Sequence, residues 1–126
     1  LVVAGCSYGG IQSILAAERG AGLRAALAVS PGAQSWNGNA LLQERLKRAV
    51  HNIDVPVLLI QPPKDPSLEP ARVLGAEAAR AHKTRFTAKI YPETMPEAEQ
   101  GHCFGGAPGF HNWADEAVAF FASALK

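Results

Sequence analysis

The sequence predicts an α/β fold, a parallel sheet with flanking helices. Two observations carry that reading. Four short runs, "LVVAG", "AALAVS", "VPVLLIQ" and "RFTAKIY", are apolar at consecutive rather than alternate positions, as strands buried on both faces are. Between and after them come segments with apolar residues at helical spacing, so strand and helix alternate four times.

The first helix follows the first run, with Ile11, Ile14 and Leu15 as its apolar stripe and the glycines of "ERGAG" as its end. Leu42, Leu46, Ala49 and Val50 mark the second, started by Asn37 or Asn39. In "LLQERLKRAV", Glu44 among Arg45, Lys47 and Arg48 reads as a solvated helix face. The third helix follows Pro70, a good first-turn residue, and turns Val73, Leu74, Ala78 and Ala81 inward. The last runs from Asn112 as N-cap, with Asp115 and Glu116 suiting the helix dipole and Val118, Phe121 and Leu125 buried.

Bulk properties narrow the function classes. The chain has 126 residues, 48% hydrophobic and 18% charged, with a net charge of +1, which suits one soluble globular domain over 1–126. Its scattered basic residues give no surplus for binding nucleic acid. No apolar run approaches the roughly 18 residues of a membrane span. Two cysteines, Cys6 and Cys103, make no disulfide framework and no zinc-ligand spacing, and they leave the redox compartment open. Gly5, Gly9 and Gly10 do not spell a dinucleotide-binding fingerprint, and no Gly-Lys-Ser/Thr exists for a phosphate loop.

In an open parallel sheet, ligands and reacting groups gather outside the carboxyl ends of the strands. That rule sorts the polar residues. Ser7 follows the first strand, Ser30 the second and Asp65 the third, while His102 lies in the long loop after the fourth. His51, Asp54 and His82 fall at the opposite end.

Gly5-Cys6-Ser7-Tyr8-Gly9 fits G-x-S-x-G between a strand and a helix, the nucleophile elbow. So sharp a turn needs small residues two places either side of its centre. Centred on Ser7 they are Gly5 and Gly9, and Gly10 allows close helix contact; centred on Cys6 they would be Ala4 and Tyr8, and tyrosine does not fit. The centre is Ser7. A serine hydroxyl is a weak nucleophile that needs a base, and the base needs an orienting carboxylate. His102 and Asp65 supply both, in the chain order Ser, Asp, His. The Tyr8 backbone N–H, at a helix N-terminus, is the expected oxyanion donor.

Each assignment has a rival. Asp65 could be only a turn-former before Pro66, and His111 competes with His102 for the role of base. Glu97 and Glu99 read as solvated loop charges. In "SPGAQSWNGN", Gln34, Ser35 and Trp36 are placed to line a pocket, the alternative for Trp36 being to pack on the next helix. Cys6 reads as a small buried hydrophobe beneath the elbow, so Cys6→Ala is expected to lower little beyond stability. Cys103 reads as partly exposed, with little support for a redox role.

These residues resemble the α/β-hydrolases, above all the dienelactone hydrolase family and its prolyl-oligopeptidase-like relatives. "GCSYGG" is similar to their elbow, "VPVLLIQPPKDPSLEP" to the acid-bearing strand and loop, "GHCF" to the histidine loop and "NWADEAVAFFASAL" to the closing helix. The resemblance implies hydrolysis of a small-molecule ester or lactone through an acyl-serine, with no metal or organic cofactor. The namesake enzymes carry cysteine at the elbow centre; serine at that place here points to a general carboxylesterase. The resemblance also implies that the chain is the C-terminal half of its domain. Earlier strands, and a second oxyanion donor, would then come from a preceding half. The expectation is that the 126 residues alone are poorly soluble or inactive, with the first strand an unpaired apolar edge. Two other classes stay open. A prolyl-oligopeptidase-type peptidase would need an upstream propeller or acidic residues for a peptide amino terminus. A non-catalytic member of the fold would not be expected to keep Ser7, Asp65 and His102 together.

Overall fold

A computed structural model describes residues 1–126 and has a four-stranded, all-parallel sheet with helices on both faces. The strands are β1 (Val2–Cys6), β2 (Ala25–Val29), β3 (Val57–Gln61) and β4 (Phe86–Ile90), side by side in chain order. The helices are α1 (Tyr8–Arg19), α2 (Ala40–Asn52), α3 (Glu69–Arg80) and α4 (Ala114–Ala124). Parallel neighbours cannot be joined by a tight turn, and helices α1, α2 and α3 make the three crossovers. One row of the register runs Val3, Ala26, Val57, Phe86 across the sheet.

Alternation along the two central strands divides the core. Ala26, Ala28, Val57 and Leu59 face α1, α2 and α3, meeting Ile14, Leu46, Val50 and Leu74. Leu27, Val29, Leu58 and Ile60 face the other way, onto Phe104 and Ala117 of α4. Full burial of each larger aliphatic is worth about 1.5–3 kcal/mol, so two-sided cover of β2 and β3 dominates the stabilisation.

β1 and β4 depart from the expectation of strands buried on both faces. Ala4 and Cys6 in β1, and Thr87 and Lys89 in β4, are exposed. Both are edge strands; α4 packs against β2 and meets the outward face of β4 at its rim, where Lys89 pairs with Glu116 at 3.1 Å.

Helix starts also sort themselves out. Asn39, not Asn37, caps α2: its Oδ1 accepts the Leu42 N–H at 3.1 Å. Asn112 is not the cap of α4. Its side chain donates instead to Glu99 Oε1 (2.8 Å) and the Gly109 carbonyl (2.9 Å), and α4 begins after Trp113. The inward stripe of α4 is Ala117, Phe120 and Phe121; Val118 is 68% and Leu125 49% exposed, contrary to the expected stripe. The small Ala117 lets the helix approach the sheet, and Val118 lies about 100° further round the helix. Between α1 and α2, Arg45 donates to both carboxylate oxygens of Glu18, at 2.6 and 3.2 Å, and holds that carboxyl below its usual range.

His51, Asp54 and His82 lie at the amino end of the sheet, as expected. His51 pairs with Glu77 at 2.8 Å, and Asp54 and His82 line a hollow there with Lys83 and Arg85. No helix is long and apolar enough to cross a membrane.

Candidate active site

Ser7 is the single residue between β1 and α1, and its backbone stands at φ 60°, ψ −117°. The glycines explain how the chain turns so sharply. A Cβ on Gly5 would lie 2.2 Å from the Gly9 carbonyl oxygen, and one on Gly10 would lie 2.9 Å from the Val29 carbonyl oxygen. A Cβ on Gly9 would meet nothing within 4 Å, so Gly9 is not required to be small; its backbone is what crowds Gly5. Gly5→Ala is therefore expected to destabilise the protein by roughly 1–3 kcal/mol or more. Gly9→Ala, in the first turn of α1, should be neutral or stabilising by up to about 1 kcal/mol. Urea unfolding of the two variants tests this, and equal losses would count against the crowding argument.

The structure brings Ser7, His102 and Asp65 into one hydrogen-bonded line. His102 Nε2 is 2.8 Å from Ser7 Oγ, and His102 Nδ1 is 2.6 Å from Asp65 Oδ1. The Asp65 side chain is fully buried and that of His102 is 17% exposed. A carboxylate only accepts, so Nδ1 carries the proton and Nε2 faces the serine hydroxyl as acceptor.

Gln61, the last residue of β3, was not singled out by sequence reasoning. Completely buried, it donates from Nε2 to Asp65 Oδ2 and to the Ser67 carbonyl, both at 2.8 Å. Its Oε1 accepts the Ala71 N–H at 2.8 Å. One side chain thus ties the strand end, the acid and the start of α3 together. Its only signal in the sequence is a glutamine closing an apolar strand four residues before the candidate acid.

His102 sits on an irregular loop of three short 3₁₀ helices, Glu97–Glu99, His102–Gly105 and Ala107–Asn112. Phe104 anchors that loop in the core, completely buried, with its ring edge-on to Tyr91 at 5.2 Å. The Cys103 N–H donates to Ser30 Oγ at 3.1 Å, and the Lys64 N–H donates to the Gln100 carbonyl at 2.9 Å. Backbone strain collects here. Of the five non-glycine residues with positive φ, four (Ser7, Ser30, Cys103 and Phe104) lie at the carboxyl end of the sheet. Such residues cost about 1–3 kcal/mol each and persist where the surroundings over-determine them, as at reactive sites.

Cys6 and Cys103 form a disulfide with their Cα atoms 6.1 Å apart. This corrects the expectation for Cys6, which is exposed and bonded rather than buried and free. The sequence carries a signal for this pairing: one cysteine precedes Ser7 and the other follows His102, so joining Ser7 to His102 brings the sulfurs together.

The remaining candidates separate. Tyr8 is 71% exposed, and as the first residue of α1 its N–H has no intrahelical acceptor. Gln34 and Ser35 are exposed on the loop after β2. Trp36 is only 3% exposed and belongs to the core beside α2, so it is no pocket wall. His111 pairs with Glu99 at 2.6 Å and not with Ser7. Glu99 is consequently a half-buried partner of His111 and Asn112, not a solvated charge. No group of three or more His, Cys, Asp or Glu side chains is arranged to hold a metal ion. Compared with models of known protein families and with curated proteins, the chain matches none.

Proposed function

We propose that this chain carries the reacting centre of an α/β-hydrolase-type serine hydrolase that cleaves small carboxylic esters or lactones through an acyl-serine. The observation that supports it most is the unbroken line from Ser7 Oγ through His102 to the buried Asp65, on a strand–turn–helix elbow. In this reading His102 Nε2 takes the hydroxyl proton as Ser7 Oγ attacks the ester carbonyl. The Tyr8 N–H faces the oxyanion that develops. His102 then gives its proton to the departing alkoxide, leaving Ser7 acylated. Water, deprotonated by the same nitrogen, releases the acid and restores the serine. Asp65 keeps the imidazole in the required tautomer and balances its charge.

A second oxyanion donor beside the Tyr8 N–H would have to approach from the side of β1, which bonds only to β2 and has its other edge free. Exposed Tyr8, Gln34 and Ser35 suit an open site for small soluble substrates.

Fluorophosphonate labelling with peptide mapping tests the assignment. The expected adduct is on Ser7 and is lost in His102→Ala; a folded protein with no adduct, or one modified elsewhere, speaks against it. Gln61→Leu probes the support of the acid. It leaves the Ala71 N–H and the Ser67 carbonyl without their buried partner, a penalty of about 1–3 kcal/mol each in stability. Turnover is expected to fall about 10-fold with KM little changed, because Asp65 loses its second anchor. A Gln61→Leu enzyme at full kcat would show that Asp65 needs no such hold.

A further inference from the structure

We propose that the Cys6–Cys103 disulfide is a redox-labile tether that sets the distance between Ser7 and His102, so that reducing it turns the site down reversibly. The inference rests on the serine hydrolase reading and adds a means of regulation to it.

Ser7 ends β1 at one edge of the sheet, and His102 is carried by the chain that leaves β4 at the other edge. Three strand spacings, about 14 Å, separate those edges. The histidine loop must therefore reach back across the strand ends. Most of its anchors are not at the elbow: Phe104 packs near Tyr91 and Trp113, Gln100 meets Lys64, and Cys103 meets Ser30 after β2. At the elbow itself, the histidine–serine hydrogen bond is backed by one covalent link. That link joins the residue before Ser7 to the residue after His102, 97 positions apart in the chain.

The loop has reason to move when released. Cys103 and Phe104 both hold left-handed backbone angles, φ 55° and 58°, immediately after His102. Relaxing either one redirects the imidazole. The bridge is also within reach of solvent: Cys6 is exposed and Cys103 half-buried. A dithiol is the reductant class that fits. One of its thiolates attacks a bridge sulfur, breaking the sulfur–sulfur bond and forming a mixed disulfide. Its second thiol displaces that intermediate and leaves as a cyclic disulfide. Two electrons and two protons pass to Cys6 and Cys103, which end as thiols.

The experiment compares protein in three states: air-oxidised, reduced with dithiothreitol that is then removed, and reoxidised. Thiol alkylation and mass spectrometry report the bridge. Fluorophosphonate labelling and p-nitrophenyl acetate turnover report the site, and hydrogen exchange reports residues 100–106. Reduction is expected to lower kcat and the labelling rate about 10- to 100-fold with KM little changed, since small misplacement of a reacting group has effects of that size. Exchange at 100–106 should rise while β2 and β3 stay protected, and reoxidation should restore both readouts. A Cys6→Ala/Cys103→Ala variant should match the reduced protein and ignore dithiothreitol. Free thiols in the oxidised protein, an unchanged labelling rate after reduction, or unchanged exchange at 100–106 would each overturn the tether. Loss of protection in β2 and β3 on reduction would do so too, since the bridge would then hold the whole fold. If Ser7 is unlabelled in every state, the hydrolase reading fails, and exchange at 100–106 alone decides the tether.

Discussion

Ser7→Ala is expected to lower turnover about 10⁶-fold while leaving the fold intact. Removing one oxygen leaves His102 with no hydroxyl to deprotonate and the substrate with no nucleophile. The elbow itself is set by the close approach of Gly5 to the Gly9 backbone and of Gly10 to Val29 and Pro31, none of which uses the Ser7 side chain. His102→Ala should lose about as much, and the double variant hardly more, because the two act as one unit. Cys6 offers the internal contrast. Its truncation breaks the tether, so the expected loss is about 10- to 100-fold, larger than a buried hydrophobe would predict and far smaller than for Ser7. Rates for p-nitrophenyl ester hydrolysis, with circular dichroism as the folding control, give the comparison. Equal losses at positions 6 and 7 would mean that the elbow is centred elsewhere.

Asp65→Asn is expected to lower kcat about 10⁴-fold, and the reason lies in Gln61. The Gln61 Nε2 donates to one side of the Asp65 carboxylate, so an asparagine there must turn its only oxygen toward Gln61. Its amide NH₂ then faces His102 Nδ1 and forces that nitrogen to accept. The proton moves to Nε2, pointing at Ser7, and the base is disabled. With Gln61→Leu as well, the asparagine is free to flip, its oxygen can accept from Nδ1, and part of the activity should return. Kinetics of the four proteins in this cycle measure that coupling. Additive losses would mean that Gln61 does not orient the acid.

Much of this was legible before any coordinates. Unbroken apolar runs announce β2 and β3 because central strands of a parallel sheet need apolar residues on both faces. The same reasoning overstated the burial of β1 and β4: β1 is the edge strand that the family resemblance led us to expect, but the edge position of β4 is set by strand order, which no single run encodes. Helix α4 shows a similar limit. Its period was readable, but which stripe turned inward depended on Ala117 fitting close to the sheet. Trp36 looked equally suited to a pocket or to the core, and only the course of the loop toward α2 chose between them.

For the candidate site the division is sharper. Ser7, Asp65 and His102 could be picked from the sequence because an elbow has local steric demands and the strand-end rule places the rest. Gln61, Ser30 and the disulfide could not be weighed in the same way. Their roles are contacts between segments far apart in the chain, and residue type alone does not say which distant atom a side chain will meet. Sequence by itself determined the alternation of strands and helices, the strained turn at Ser7 and the end of the sheet where polar groups collect, all consequences of local sterics and hydrophobic period. Tertiary structure alone decided that the loop after β4 crosses the strand ends to reach β1, because that path is set by the burial of Phe104, the hydrogen bond to Ser30 and the Cys6–Cys103 bridge acting together.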